Sequence, residues 1–193
     1  MILYLHGFRS SSLSAKSQLM QQAMANRGLS HAFAGPNLPV SPRQAIELAL
    51  ATAHQLCQGR DVHQLTVIGS SLGGYYATWL ANEMGCKAVL VNPCIYAARD
   101  LSTQLGPMTC FHSDEPFELK AEHIKELAEL FVPDIRHPEK MFLMARMADE
   151  VLDWREMQHR YAGAKQLIIP GGDHGFSDFE EYIPQVLDFA LNN

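Results

Sequence analysis

The sequence is poor in the features that mark several large classes of protein. Nowhere do eighteen uncharged apolar residues run together, and the chain opens on a short apolar stretch, not on a charged segment followed by a long apolar one. Neither a spanning helix nor a signal peptide is expected, and the cytoplasm is the default compartment. Basic residues never cluster beyond a couple, and 15 Lys and Arg against 21 Asp and Glu leave a net charge of −6. That balance argues against a nucleic-acid or anionic-membrane partner. Cysteine is scarce and unpatterned. Cys57, Cys86, Cys94 and Cys110 form no Cys-x-x-Cys pair, and in a reducing compartment they are expected to be small buried side chains. The nine histidines include no His-Glu-x-x-His and no Cys/His quartet, so no metal site is expected. Repeats and low-complexity tracts are also missing.

What is present is the material of one domain, expected to span residues 1–193, with 47% hydrophobic and 19% charged residues. Strand and helix signals alternate, the mark of an α/β fold with a mainly parallel sheet covered on both faces. Residues 1–5, 65–68, 87–91, 140–145 and 165–169 read as apolar strands, and 31–34 as a weaker one. Helices are expected over 15–27 and from Ser41-Pro42-Arg43-Gln44 toward Cys57, the latter opening on a capping box with proline at its first position. Ser177-Asp178-Phe179-Glu180 predicts a second capping box at the start of the last helix. The sheet is expected to be trimmed, with about six strands.

Behind the run 65–68 stands Gly69-Ser70-Ser71-Leu72-Gly73, a Gly-x-Ser-x-Gly element between a strand and a helix. A serine on a sharp strand-to-helix turn needs neighbours without Cβ bulk, and Gly69 and Gly73 provide that room. Ser71 is therefore the candidate nucleophile. The next helix turns its free N–H groups toward the charge that acyl transfer develops, with Leu72 the nearest donor. A Gly/Ser-rich turn that binds phosphate is the plainer alternative, but Gly74-Tyr75 lacks the lysine and hydroxyl of a Walker-type loop.

A serine needs a base and a group that orients the base, and here both are sought downstream, in the order acid then histidine. Asp149 follows the strand 140–145, and His174 lies in the glycine-rich loop 170–176 after the last strand. Both sit past the carboxyl end of a strand, the edge where open α/β sheets build their sites. Asp149 is preferred to Glu150, read as a solvated neighbour, and to Asp153, read as the cap of the helix from Trp154. Asp173 reads as a turn former. At the start of the chain, His6-Gly7-Phe8 opens a loop suited to supply the second oxyanion donor, the Phe8 N–H, with His6 bracing that loop. A phosphohistidine role for His6 would leave the serine element unexplained.

Together these residues resemble the α/β-hydrolase superfamily and, within it, are similar to the small bacterial YqiA/YcfP-type esterases. The likeness is carried by His6-Gly7-Phe8, Ser10-Ser11, Ser14-Ala15-Lys16, Gly69 to Tyr75, Ala77 to Leu80, Val91-Asn92-Pro93, Asp149 to Asp153 and His174. It implies an α/β-hydrolase fold and a compact cytoplasmic esterase or thioesterase acting on small-molecule acyl ester or acyl-CoA-like thioester substrates. Its triad would be Ser71, Asp149 and His174, and no cofactor would be needed. The chain departs from the family at Ala148, where glycine commonly precedes the acid, and over residues 111–129. Two alternatives share the same scaffold: a lyase or C–C hydrolase on the same triad, and a non-catalytic ligand-binding module.

Residues 94–138 occupy the place where members of this superfamily insert a lid. Within them 120–131 predicts an amphipathic helix, with Ile124, Leu127, Ala128 and Phe131 in one stripe packed on the core. Met108, Phe111 and Phe117 are candidates for an acyl pocket. The natural substrate, the acyl length and the oligomeric state are not legible in the sequence.

Overall fold

The computed structural model describes residues 1–111 and 116–192. In chain order the strands are β1 (Ile2–Leu5), β2 (Phe33–Ala34), β3 (Thr66–Ser70), β4 (Lys87–Val91), β5 (Gly106–Thr109), β6 (Pro116–Leu119), β7 (Met141–Arg146) and β8 (Lys165–Ile169). The helices are α1 (Ala15–Ala25), α2 (Pro42–Cys57), α3 (Leu72–Met84), α4 (Ala97–Leu101), α5 (Ala121–Glu129), α6 (Trp154–Arg160) and α7 (Ile183–Leu191). Six strands form one sheet in the order β2-β1-β3-β4-β7-β8, with every neighbouring pair parallel. Successive strand residues face opposite ways, so the complete burial of β1, β3 and β7 requires cover on both faces.

This topology gathers one set of loops. The chain leaves β1 toward β2 on one side and returns as β3 on the other, so the strand order reverses between β1 and β3. Loops diverge at such a point and open a crevice at the carboxyl ends of the strands. Leu5 pairs with Gly69 and Ser70 with Val91, which sets the loops after β1, β3 and β4 side by side.

The helix starts follow local chemistry. Ser41 Oγ accepts from the Gln44 N–H at 3.3 Å, with Pro42 in the first turn of α2. Asp153 caps α6 through the Arg155 N–H. The box expected at Ser177 does not form. Ser177 Oγ donates to Asp173, Asp178 pairs with the buried Arg146 guanidinium, and a 3₁₀ turn over Phe179–Tyr182 precedes α7. A buried cation left without its carboxylate costs more than a cap returns, so the ion pair decides where this segment turns. The weak strand expected at 31–34 shortens to β2, behind a 3₁₀ turn.

The segment 94–138 holds more structure than its sequence pattern suggests. Residues 112–115 of it, within the poorly matching stretch 111–129, lie outside the described residues. β5 and β6 pair antiparallel as a two-stranded ribbon, with Met108 opposite Phe117. Pro107 and Pro116 obscure the strand signal, yet a free ribbon edge tolerates them. α5 forms as expected but rolled. Its buried face is His123, Glu126 and Leu127, Ile124 is half-buried, and Ala128 and Phe131 are exposed. The cause lies at the start of α2, whose open N–H groups take a carboxylate: Glu126 Oε2 accepts from Ser41 Oγ at 2.8 Å and from the Arg43 N–H at 3.1 Å. Phe131 instead stacks on Tyr96 at 6.1 Å.

Burial raises the Glu126 carboxyl, but the hydrogen bonds from Arg43 and Ser41 outweigh it and hold the group below its ordinary value. A lowered carboxyl contributes stability above the unfolded value of about 4.3, and that stability is lost as pH falls through the folded value. Glu126→Ala should therefore cost about 1–3 kcal/mol at neutral pH. The gap from wild type in urea denaturation should narrow below about pH 4.

Candidate active site

The turn between β3 and α3 is built by backbone contact. Ser71 has φ 55° and ψ −121°, a conformation that non-glycine residues avoid unless their surroundings impose it. Three contacts impose it: the Ser71 N–H donates to Val91 O at 3.0 Å, and Ser71 O accepts from the N–H groups of Gly74 at 2.9 Å and Cys94 at 3.0 Å. The flanking glycines permit close approach; neither has a positive φ. A Cβ on Gly73 would lie 2.0 Å from Leu5 O, and one on Gly69 would lie 2.1 Å from Gly73 O. Gly7 closes over the same corner, where a Cβ would stand 3.1 Å from Ser71 Cβ.

Above this turn the structure brings together the three side chains expected to meet. His174 Nε2 lies 2.9 Å from Ser71 Oγ, and His174 Nδ1 lies 2.8 Å from Asp149 Oδ2. The Asp149 side chain is fully buried and His174 is 20% exposed. Asp149 Oδ1 accepts from the Val151 and Leu152 N–H groups at 2.8 and 2.9 Å, so its carboxylate is fixed in rotation. The two ring nitrogens thus face different partners, Nδ1 the carboxylate and Nε2 the serine hydroxyl.

The loop carrying His174 is held by residues to which the sequence pattern assigns no role. Asn92, fully buried with φ 41°, donates from Nδ2 to Asp173 O at 3.1 Å and to His174 O at 3.0 Å. Its Oδ1 accepts from the Arg146 N–H at 2.8 Å, which couples the end of β4 to the strand leading to Asp149. Glu150 is exposed, as expected of a solvated neighbour, and takes a further role: its Oε2 accepts the His174 N–H at 2.9 Å. Lys16 donates to Gly175 O, and its ammonium is lowered by burial, with Asp173 opposing. Arg146 lies beneath, over the rings of Phe176 and Tyr182 at 4.7 and 5.3 Å. The available signal was a polar residue ending an apolar run, as Asn92 and Arg146 both do.

The oxyanion candidates border the same cleft. Phe8, Leu72, Ser71 and His174 all line a cavity of about 540 Å³ that also includes Arg9, Phe111 and Leu152. Among the described residues, the N–H groups of Phe8 and Leu72 donate to no backbone or side-chain acceptor. His6 lies under the loop, with Nδ1 2.9 Å from Gly7 O and Nε2 accepting from the Leu38 N–H at 2.9 Å. Cys94 also borders the cleft, but burial, with Asp100 beside it, pushes its thiol well up and keeps it protonated, which makes it a poor nucleophile. Cys57 and Cys86 are buried as expected; Cys110 departs from expectation in being only half-buried. Among the described residues no three His, Cys, Asp or Glu side chains are grouped to hold a metal ion, and no helix is long and apolar enough to cross a membrane.

Removing the Asn92 amide leaves two loop carbonyls and the Arg146 N–H without partners in a buried site. Asn92→Ala should cost about 2–4 kcal/mol in chemical denaturation, while an exposed polar change such as Gln55→Ala should stay within about 0.5 kcal/mol.

Comparison with known proteins agrees with this architecture. A family model described as "Uncharacterised protein family (UPF0227)" matches residues 1–191. Among solved structures, an inferred hydrolase from Agrobacterium vitis S4 superposes with a TM-score of 0.77 at 16% identity, covering 99% of this chain and 87% of that one. A structure of the metagenome-derived lipolytic enzymes LipS and LipT gives 0.72 at 18%, covering 100% and 93%. Est1E from Butyrivibrio proteoclasticus gives 0.65 at 16%, covering 96% and 84%. At these identities the likeness is one of fold, that of the α/β-hydrolase superfamily.

Proposed function

The chain belongs to the UPF0227 family, and on that premise, with the α/β-hydrolase fold and the hydrogen-bonded chain from Ser71 through His174 to Asp149, we propose that it is a serine hydrolase of carboxylic esters or thioesters. The observation that carries this reading is the 2.9 Å approach of a base nitrogen to a hydroxyl that a strained turn holds up to the cleft. We read residues 1–193 as one domain, with 94–138 as an insertion over the cleft, and its substrate as a small acyl ester or an acyl-CoA-like thioester.

Ser71 Oγ attacks the carbonyl carbon while its proton passes to His174 Nε2. The carbonyl oxygen takes the electron pair and lies between the Phe8 and Leu72 N–H groups, which carry no other partner among the described residues. Asp149 holds the imidazole tautomer and stabilises the imidazolium. His174 returns the proton to the departing alcohol or thiol, which leaves an acyl ester on Ser71. A water then loses a proton to the same nitrogen, attacks the acyl carbon and releases the acid with the serine restored.

A fluorophosphonate probe should label the wild type and fail to label Ser71→Ala. Asp149→Asn should lower kcat on a p-nitrophenyl ester by about 10³–10⁴, because the imidazole loses its tautomer. His174→Ala should abolish the Ser71-dependent rate on the same ester, because no other base nitrogen lies within hydrogen-bond reach of Ser71 Oγ among the described residues.

A further inference from the structure

The cleft over Ser71 has a neighbour. Across Phe8 lies a second chamber of about 170 Å³, walled mainly by Leu38, Val40, Leu72, Tyr76, Cys110 and Phe117. Phe8, Arg9 and Leu72 border both cavities, so the partition includes the two residues proposed as oxyanion donors. Ser71 and His174 border the cleft and not the chamber. We propose that the chamber binds the acyl arm of the substrate, a linear saturated chain of medium length, and that the leaving group remains in the open cleft. This inference rests on the reading of Ser71 as nucleophile and His174 as base.

The argument is one of substituents. A tetrahedral carbon on Ser71 carries the serine oxygen, the oxyanion, the leaving atom and the acyl arm. The oxyanion takes the Phe8 and Leu72 amides. The leaving atom must come within hydrogen-bond reach of Nε2, because it receives its proton there, and that nitrogen faces the cleft. The acyl arm is the substituent left over, and it points away from the imidazole, toward the Phe8 and Leu72 side of the cleft that the chamber adjoins. What it meets there is mostly apolar, with Ser10 and Tyr76 the hydroxyl-bearing residues in the wall. The polar ring in that wall, His6, has both nitrogens directed at backbone groups, Gly7 O and the Leu38 N–H. The Arg9 guanidinium is drawn aside, donating from Nε to Thr109 O and lying 4.5 Å from the centre of the Phe111 ring.

Pro116 and Phe117 of β6 form one wall of this chamber. Phe117 of β6 meets Phe8 edge-on, with ring centres 5.8 Å apart, so the inserted segment touches the residue that offers the oxyanion amide. Of the three residues named as pocket candidates, Phe117 lines the chamber, Phe111 lines the cleft and Met108 borders neither. The ribbon would thus set how long a chain the site accepts.

Cys110 supplies a reporter, since it lies in the chamber wall and the other cysteines, Cys57, Cys86 and Cys94, are buried. The test is kcat/KM on p-nitrophenyl acetate, butanoate, hexanoate and decanoate. In the wild type it should rise about fourfold per added methylene until the chamber is full. Val40→Trp, a change at the chamber rim, should lower the hexanoate-to-acetate ratio at least tenfold. Treating the wild type with methyl methanethiosulfonate should lower the same ratio, and Cys110→Ser should remove the response to the reagent. Ser71-dependent hydrolysis with a ratio that neither Val40→Trp nor the reagent moves by more than twofold overturns the inference and leaves the catalytic reading standing. No Ser71-dependent hydrolysis of any ester in the wild type overturns both.

Discussion

The closest constraint in the molecule is the approach of the first turn of α3 to the backbone of β1 and β3. Gly73 lies so near Leu5 O that a methyl group there would stand 2.0 Å from the oxygen, and Gly69 is pressed against Gly73 in the same way. Contacts of this kind cannot be relaxed by a rotamer change, because backbone lies on both sides. They fix the height and angle at which α3 leaves the sheet, and with them the φ of 55° at Ser71. The strain at that residue, of order 1–3 kcal/mol, is carried by a core that offers α3 no other place to start. Gly74 extends the contact to the next strand, since a Cβ there would meet Pro93 at 2.7 Å. Strands β1, β3 and β4 thereby share one joint.

A rigid turn is of no use to a hydroxyl unless its partner is equally well placed, and His174 sits in a loop with no regular structure of its own. The solution is to saturate that loop's backbone. Asn92 takes two of its carbonyls, Lys16 takes a third and Glu150 takes the His174 N–H. Each of these residues comes from a different part of the chain, and Asn92 also holds the strand that leads to Asp149. One buried amide therefore sets the acid's strand and the base's loop relative to each other. Arg146 beneath, paired with Asp178 and covered by Phe176 and Tyr182, prevents the loop from sinking. Gly172 has to lack a side chain for that guanidinium to fit, since a Cβ would come within 2.5 Å of Arg146 Cδ.

The parallel sheet, its strand number and the convergence of Ser71, Asp149 and His174 were legible because each depends on short-range pattern: apolar runs, a glycine-flanked serine, polar residues just past strand ends. What was not legible depends on partners far away in the chain. Glu126 lies on the buried face of α5 because Ser41 and Arg43 present open donors 85 and 83 residues earlier. No periodicity in α5 contains that fact, and the stripe through Ala128 and Phe131 was the natural expectation. Ser177 follows the letter of a capping box, yet the need of Arg146 for a carboxylate redirects the segment. The pairing of β5 with β6 was hidden because their prolines suppress a strand signal that only pairing could restore. Asn92 and Lys16 stood among the residues that carry the family resemblance, but their tasks appear only when the loop they hold is in place.

These differences fall into a pattern with a consequence for substrate choice. The corner that bears Ser71 tolerates no added side chain, so little variation in chemistry can originate there. The ribbon and α5, by contrast, meet the rest of the molecule largely through side chains: Arg9 against Phe111, beside one backbone bond from the Phe111 N–H to Arg9 O at 2.7 Å, Phe8 against Phe117, and Glu126 against the start of α2. Side-chain contacts accept substitution where backbone contacts do not. If the acyl arm enters the chamber that Phe117 walls, then the part of the molecule free to change is the part that measures the chain, and the part that would break and form bonds is shielded from the same changes. On that account, altered acyl selectivity should arise in residues 106–119 and the facing Leu38 to Val40 turn without disturbing the 2.9 Å contact between His174 and Ser71.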